Sequence, residues 1–504
     1  MKNNKVSDTV ILVNEANVQN RFSKPNPVVV LDEVSDFDEE PKIQEEGKSS
    51  AKDHLRDAAD TDGRPKSAVS PTNRKRWNTV KIFANVTSKM DGDYRQIQDT
   101  RIYKLLRPLM FSLHVAGIFY TKRFKKDANG NIKNKFTKMQ IYSLVLALVV
   151  TFNFLRFISA FTDVKDLDDT MFFKCSIIVW WLECSIKAWN MWYCCYHKDK
   201  FYDLFIEWDR ITGDATITRY EKTVKGIMRH VLLNCWAFTV FNVVLVCIAI
   251  YGPTSLQEYF DEALAPLTRD TPGAEIFRIM NIFFHYLNSN LSLLPGGLYF
   301  MICILLYQEF KLVQDDFCAA IGEDGIFSAN LEELRIRHQQ ICKLVERSDS
   351  IYKLFIANVY CTNLPLFCIV LYNLIYSHLH LSQVLLNFLW AGTVTFQTCV
   401  VSYIGAVVND QAHAPLADIY SIRVNNCSGE RQLQINMFMN KLTGTSIGFT
   451  ALDMFIINKP TILTIVGMLL TYFVLMVQFR MPTPTANCTC NMTDLLTAMN
   501  STGL

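Results

Sequence analysis

Seven long apolar runs constrain this chain more than any other feature. They lie at about 139–162, 171–196, 230–251, 276–308, 352–377, 382–408 and 459–479. A helix that crosses a bilayer needs roughly 20 consecutive apolar residues. Within hydrocarbon each backbone N–H and C=O must be paired internally, which a helix achieves by itself. The runs therefore predict an all-α membrane protein with seven transmembrane helices. A further stretch, LLRPLMFSLHVAGIFYTKRF (105–124), is short and contains Pro108, and it reads as an interfacial or partly buried helix. Charged residues make up only 19% of the chain, against about 25% in soluble proteins.

The charge that exists is unevenly placed. Residues 1–100 are rich in Asp, Glu, Lys, Ser and Pro and poor in aromatics, as in DEVSDFDEEPKIQEEGKSS. Such a segment cannot bury enough apolar surface to offset its ordering entropy. It is expected to be a disordered cytosolic tail preceding a membrane domain at 101–480. No apolar leader precedes it, so insertion must rely on the internal spans. The cysteines are scattered through apolar runs, as small buried hydrophobes would be. Cys194-Cys195 and Cys488-Thr-Cys490 lack a second ligand pair at zinc spacing, so no metal site is expected.

Orientation follows from Lys and Arg, which favour the cytosolic side of short loops. Counting from the loops after runs 2, 4 and 6, sixteen basic residues lie on one side, among them Lys198, Arg219, Lys225, Arg337, Arg347 and Arg431; four (Lys165, Arg269, Arg278 and Arg480) lie on the other. With seven spans the N-terminus is then cytosolic and the C-terminus extracellular. The tail at 481–504 agrees, holding sequons at Asn487, Asn491 and Asn500, the acceptor pattern of a lumenal or extracellular surface. FYDLFIEWDRI (201–211), LEELRIRHQQICKLVERSDSIYKLF (331–355) and RQLQINMFMNKL (431–442) place apolar residues at helical spacing between charges. They predict a helical cytosolic anchor region, the second of them continuing run 5 below the membrane.

The last run, NKPTILTIVGMLLTYFVLMVQF, carries a pattern of its own. At about 100° per residue, Thr464, Gly467, Thr471 and Gln478 fall within an arc of roughly 60°. Polar groups inside a membrane normally face a bundle interior or a water-filled space. Such a stripe suits a pore-lining helix in a symmetric oligomer. It also suits a helix–helix contact, since small residues let helices approach closely.

Thr471-Tyr472, five apolar residues and Gln478-Phe479 at the end of the last span resemble the signature of the insect gustatory receptors. The inverted topology and the Asn-Lys-Pro start of that span are similar too, and the resemblance covers about residues 100–480. It implies a homo- or heterotetrameric ligand-gated cation channel in the plasma membrane of sensory neurons, related to the odorant receptors. The last span would line the pore, with Gln478 and Phe479 at its outer constriction and a small-molecule tastant bound in an outward-facing pocket. Membrane lipids and permeating cations are the other partners; no cofactor or nucleic acid is implied. Phe473 stands where sugar-receptor relatives carry an acidic residue, which points away from sugars. Odorant-type and light-sensing members of the superfamily stay open.

Aromatic and polar residues in the outer halves of the spans are candidates for the pocket. Trp181, His285, Asn288 and Trp390 lead them, although each also fits simple packing. Glu183 and Lys187, spaced i,i+4, would neutralise each other, and Pro295-Gly296-Gly297 marks an expected break in run 4. A G-protein-coupled receptor would need the opposite topology, and the chain lacks its acidic-Arg-aromatic and Asn-Pro-x-x-Tyr motifs. A secondary transporter would show pseudo-repeats. An enzyme would need a His, Asp or Cys constellation that is not present in the sequence.

Overall fold

The computed structural model describes residues 97–478, with short gaps at 122, 127–131, 136, 163–168, 253, 268–270, 323–324, 378 and 424–427. The polar tail up to residue 96, Phe479, and the sequons at Asn487, Asn491 and Asn500 lie outside the described residues. The elements run α1 (Arg101–Leu105), α2 (Arg107–Val115), an antiparallel pair β1 (Arg123–Lys126) and β2 (Ile132–Lys135), α3 (Lys138–Phe157), α4 (Asp169–Tyr196), α5 (Asp203–Ile211), α6 (Asp214–Tyr251), α7 (Thr254–Asp261), α8 (Ala274–Ala320), α9 (Leu331–Tyr376), α10 (Leu381–His413), α11 (Pro415–Ile419), α12 (Gly429–Gly444), a second small pair β3 (Thr450–Ala451) and β4 (Phe455–Ile456), and α13 (Lys459–Gln478). The helical class holds, with two short hairpins that periodicity did not indicate.

Among the described residues, five helices are long and apolar enough to cross a membrane: α3, α6, α8, α9 and α10. α13 is a shorter apolar helix by the same measure. α4, run 2 of the sequence, has the length but falls outside this set. Its Trp residues and the Glu183–Lys187 pair dilute its hydropathy. α8 is the central helix, packed on α6, α10, α9 and α4. It passes through Pro295 without interruption, so the expected break is absent. Gly297 instead serves packing: a Cβ there would meet Cys235 and Val231 of α6 at 3.3 Å. Around this core the outer faces of the helices expose large apolar side chains, such as Phe152, Phe388 and Leu463. Water would penalise such a surface, whereas lipid does not.

α8 and α9 have 47 and 46 residues, so each is roughly 70 Å long, more than twice the hydrocarbon thickness. Their excess length builds a second core with α11 and α12, formed by Phe317, Phe327, Leu331, Ile419, Ile435 and Phe438. Of the amphipathic stretches, 331–355 enters this base through Leu331 and Leu334 and 431–442 through Ile435 and Phe438, whereas 201–211 packs into the main core through Leu204, Phe205 and Trp208. Glu309 of α8 is buried beside Phe310 of the main core, accepting hydrogen bonds from Tyr220 (2.6 Å) and Thr212 (3.1 Å) with Arg337 at 3.9 Å. Burial pushes its carboxyl pKa upward, against these partners. A latch ties the base to α13. Thr450 donates to Asp349 of α9 through its N–H (2.6 Å) and its hydroxyl (2.9 Å to Oδ2), and Lys353 pairs with Asp453 at 2.5 Å.

His338 links α9 to α10. Its Nε2–H donates to Ala412 O (2.9 Å) and its Nδ1 accepts from Cys342 Sγ (3.6 Å), so the neutral ring uses both nitrogens. Burial, with smaller contributions from His413 and Lys441, holds its pKa down at about 4. Below pH 6.5 the unfolded chain gains a proton that the folded chain refuses until about pH 4. The stability that neutral His338 contributes is complete above pH 6.5 and is lost as pH falls towards 4. Between pH 7.5 and 5 this group should cost the fold about 2 kcal/mol. Thermal unfolding of purified protein at both pH values should therefore show a smaller pH slope for His338→Gln. Identical slopes would exclude His338 as a contributor.

Candidate functional site

Two features can carry function: the last helix and a pair of cavities among the other helices. α13 begins at Asn458, whose Oδ1 caps the first turn by accepting from Thr461 N at 2.9 Å. Pro460 follows at a position where its missing N–H costs nothing. The helix meets α9 and α10 along a single seam, with Ile465 buried and Ile462, Leu469 and Phe473 partly so. Thr464, Gly467, Thr471 and Gln478 are all exposed. At 100° per residue their arc lies nearly opposite the seam. A Cβ at Gly467 would touch nothing within 4 Å, so close packing inside the chain does not explain this glycine. The Thr hydroxyls bond back to Pro460 O (3.1 Å) and Gly467 O (2.9 Å). Tyr472 is also exposed but stands off the stripe.

The cavities lie between α4, α6, α8 and α10. The first, of about 100 Å³, is bounded by Trp180, Phe238, Asn242, Ser289, Trp390 and Thr393, among others. It shares Phe238, Ser292, Leu293 and Thr393 with a second space of about 190 Å³, which reaches Gly296, Gly297 and Gln397. The walls are mainly apolar with a few aimed polar groups, the usual form of a small-molecule site. Asn242 donates to Ser289 Oγ at 2.6 Å.

Behind the second space lies an ion pair. Glu183 and Lys187 of α4 are bonded to each other with both side chains buried. Gln397 donates to Glu183 Oε1 (3.3 Å) and Ser292 O (3.4 Å), and Lys187 donates to the same carbonyl (3.4 Å). The pair is thus mutually neutralised, as its spacing suggested, and Gln397 connects it to the cavity wall.

Of the four leading pocket residues, Trp390 lines the cavity and stacks on Phe173 with ring centroids 5.9 Å apart. Trp181, His285 and Asn288 are buried beside it and do not line it. Trp181 packs edge-on against Phe157 at 4.9 Å, and His285 bonds Asn281 O at 3.0 Å. Sequence reasoning passed over Asn242, Ser289, Ser292, Thr393 and Gln397. Asn242 was the most readable of these, an amide within an otherwise apolar run.

Comparison with known proteins adds an independent line. A family model described as 7tm chemosensory receptor matches residues 106–482. No curated protein sequence matches the chain. Among solved structures, the insect olfactory receptor OR5 from Machilis hrabei aligns with a TM-score of 0.61 at 15% identity, over 75% of this chain and 98% of that chain. The same receptor in complex with eugenol gives 0.61 at 13% identity, over 74% and 98%. At this identity the likeness is one of fold.

Proposed function

Because this chain belongs to the 7tm chemosensory receptor family, whose model spans residues 106–482, we propose that it is a taste-type member acting as a ligand-gated, non-selective cation channel. Four copies, identical or mixed, surround a central pore lined by α13, in the plasma membrane of sensory neurons. The observation that carries this reading is the placement of Thr464, Gly467, Thr471 and Gln478 opposite the seam that α13 makes with α9 and α10 among the described residues. A small-and-polar arc turned away from the bundle suits neither intrachain packing nor lipid. It suits an axis shared with other copies. The Thr471-Tyr472 and Gln478-Phe479 pattern favours the gustatory branch, with Phe479 as a constriction that excludes ions by dewetting.

α4 supplies the seventh span alongside the five long apolar helices and α13. The excess of Lys and Arg on one side supports a cytosolic N-terminus with residues 1–100 as its tail. The sequons support an extracellular, glycosylated tail at 481–504. The ligand is a small, largely apolar molecule held in the cavity of Trp180, Asn242, Ser289 and Trp390. Cysteine scanning tests pore and orientation together. On open channels, an impermeant thiol reagent applied from outside should modify Gln478→Cys and Thr471→Cys and block current, while Val466→Cys and Leu470→Cys stay unaffected. Phe479→Ala should raise ligand-independent current, and Gln478→Ala should alter ion selectivity. A silent stripe beside reactive Val466→Cys would rule out this pore.

A further inference from the structure

α10 is a partition with space on both sides. Thr393, Phe396, Gln397 and Val400 face the cavity shared with α6 and α8. Thr395, Thr398, Cys399 and Ser402 face a separate cavity of about 300 Å³, closed by α9 and by Ile462, Ile465, Val466 and Leu469 of α13. Its Ser and Thr hydroxyls are already engaged as donors. Thr395 donates to Ala391 O (2.8 Å), Thr398 to Val394 O (2.9 Å) and Ser402 to Thr398 O (2.7 Å), and Tyr360 pairs with Ser402 at 2.8 Å. With these donors spent on the helices and most of the remaining wall apolar, the cavity gives water few donors and suits a mainly hydrocarbon occupant.

One lining group departs from this. Asn363 is 1% exposed and donates through Nδ2 to Thr398 Oγ1 (3.2 Å) and Gln397 Oε1 (3.4 Å). Its Oδ1 has no hydrogen-bond partner among the described residues. A buried carbonyl oxygen without a donor carries a desolvation penalty that an incoming hydroxyl would relieve. Tyr403 and Val466, both exposed, stand among the lining residues and open the cavity towards the lipid-facing surface. The volume lies at the lower bound of small-molecule sites.

We propose that this cavity is a second binding site, for a membrane-dissolved alcohol or phenol with a hydrocarbon body. Its hydroxyl bonds Asn363 and its body rests against α13. The proposal rests on the channel reading only in placing α9, α10 and α13 within the bilayer. An occupant wedged between α10 and α13 restrains both, so it changes how binding across the partition is transmitted to α13.

Photolabelling of the full chain in membranes with a diazirine analogue of 1-octanol tests this without any current. Adducts mapped by mass spectrometry should fall on 363–367, 394–403 and 462–469. Free 1-octanol should compete about three- to tenfold better than n-octane, the value of one hydrogen bond. Asn363→Leu should erase that preference, and Cys399→Phe, which fills the space, should remove the labelling. Adducts confined to the α6–α8 cavity, or spread evenly over lipid-facing helices, would overturn the proposal. So would a co-purifying phospholipid chain that octanol does not displace. Labelling at the predicted residues in a chain that conducts no ions would defeat the channel reading and leave this site standing.

Discussion

Glu183→Ala should cost the fold about 3–5 kcal/mol and abolish surface expression. The substitution leaves the Lys187 ammonium, whose side chain is fully buried, without its carboxylate. The remaining contacts are Ser292 O at 3.4 Å and the face of Phe355, 5.3 Å away. Neither neutralises a charge. Removing both charges should be far milder, because well-packed apolar residues often replace buried ion pairs at little cost. Surface biotinylation and thermal unfolding of Glu183→Ala and of the Glu183→Leu, Lys187→Met double variant measure this. A double variant as damaged as the single one would refute charge stranding as the cause. Partial rescue with altered ligand response would add that Gln397, freed from Glu183, changes the cavity wall.

Trp181 and Trp390 should separate packing from ligand contact. Trp181 is fully buried among Phe157, Ile177 and Val246, so Trp181→Ala should cost about 3–5 kcal/mol and reduce folded protein at the surface. Trp390 is partly exposed and lines the cavity. Trp390→Ala should leave expression intact and raise the half-maximal concentration of an apolar agonist about tenfold, as loss of one aromatic contact would. Concentration–response curves across a ligand panel, normalised to surface protein, give the comparison. Equal loss of expression in both would mean that Trp390 too is a packing residue.

Much of the scaffold was legible because helices leave periodic traces. The continuation of run 5 into the base was visible in Leu331, Leu334, His338, Ile341 and Val345, which repeat at three- and four-residue spacing and are buried in α9. The Asn458 cap was visible as Asn-Lys-Pro, and the stripe on α13 as an angular cluster. The cavity was not legible in the same way. Trp180 and Trp181 are neighbours about 100° apart on one helix, and only the first lines the cavity; their sequence positions do not reveal which one meets a gap. Ser289, Ser292 and Thr393 resemble ordinary helix-tolerated hydroxyls until tertiary packing sets them around one space. The break expected at Pro295 failed for a related reason. A proline and two glycines mark weak helix locally, yet α8 runs on through them, with α6 packed close against it at Gly297.

The single seam of α13 also bears on how such a chain changes over generations. On the proposed function, the residues that select the ligand are those lining the cavity of α4, α6, α8 and α10, and their substitutions are judged within one subunit. On the same reading, the outward arc of α13 is judged instead by whichever chains meet it, since a Cβ at Gly467 would meet no other described residue within 4 Å. If α13 lines the pore as proposed, chains that keep this arc and the Asp349–Thr450 latch can diverge freely in their ligand cavities and still share that pore. A repertoire of receptors can then grow by duplicating the chain and altering the cavity walls, with the conducting part held constant.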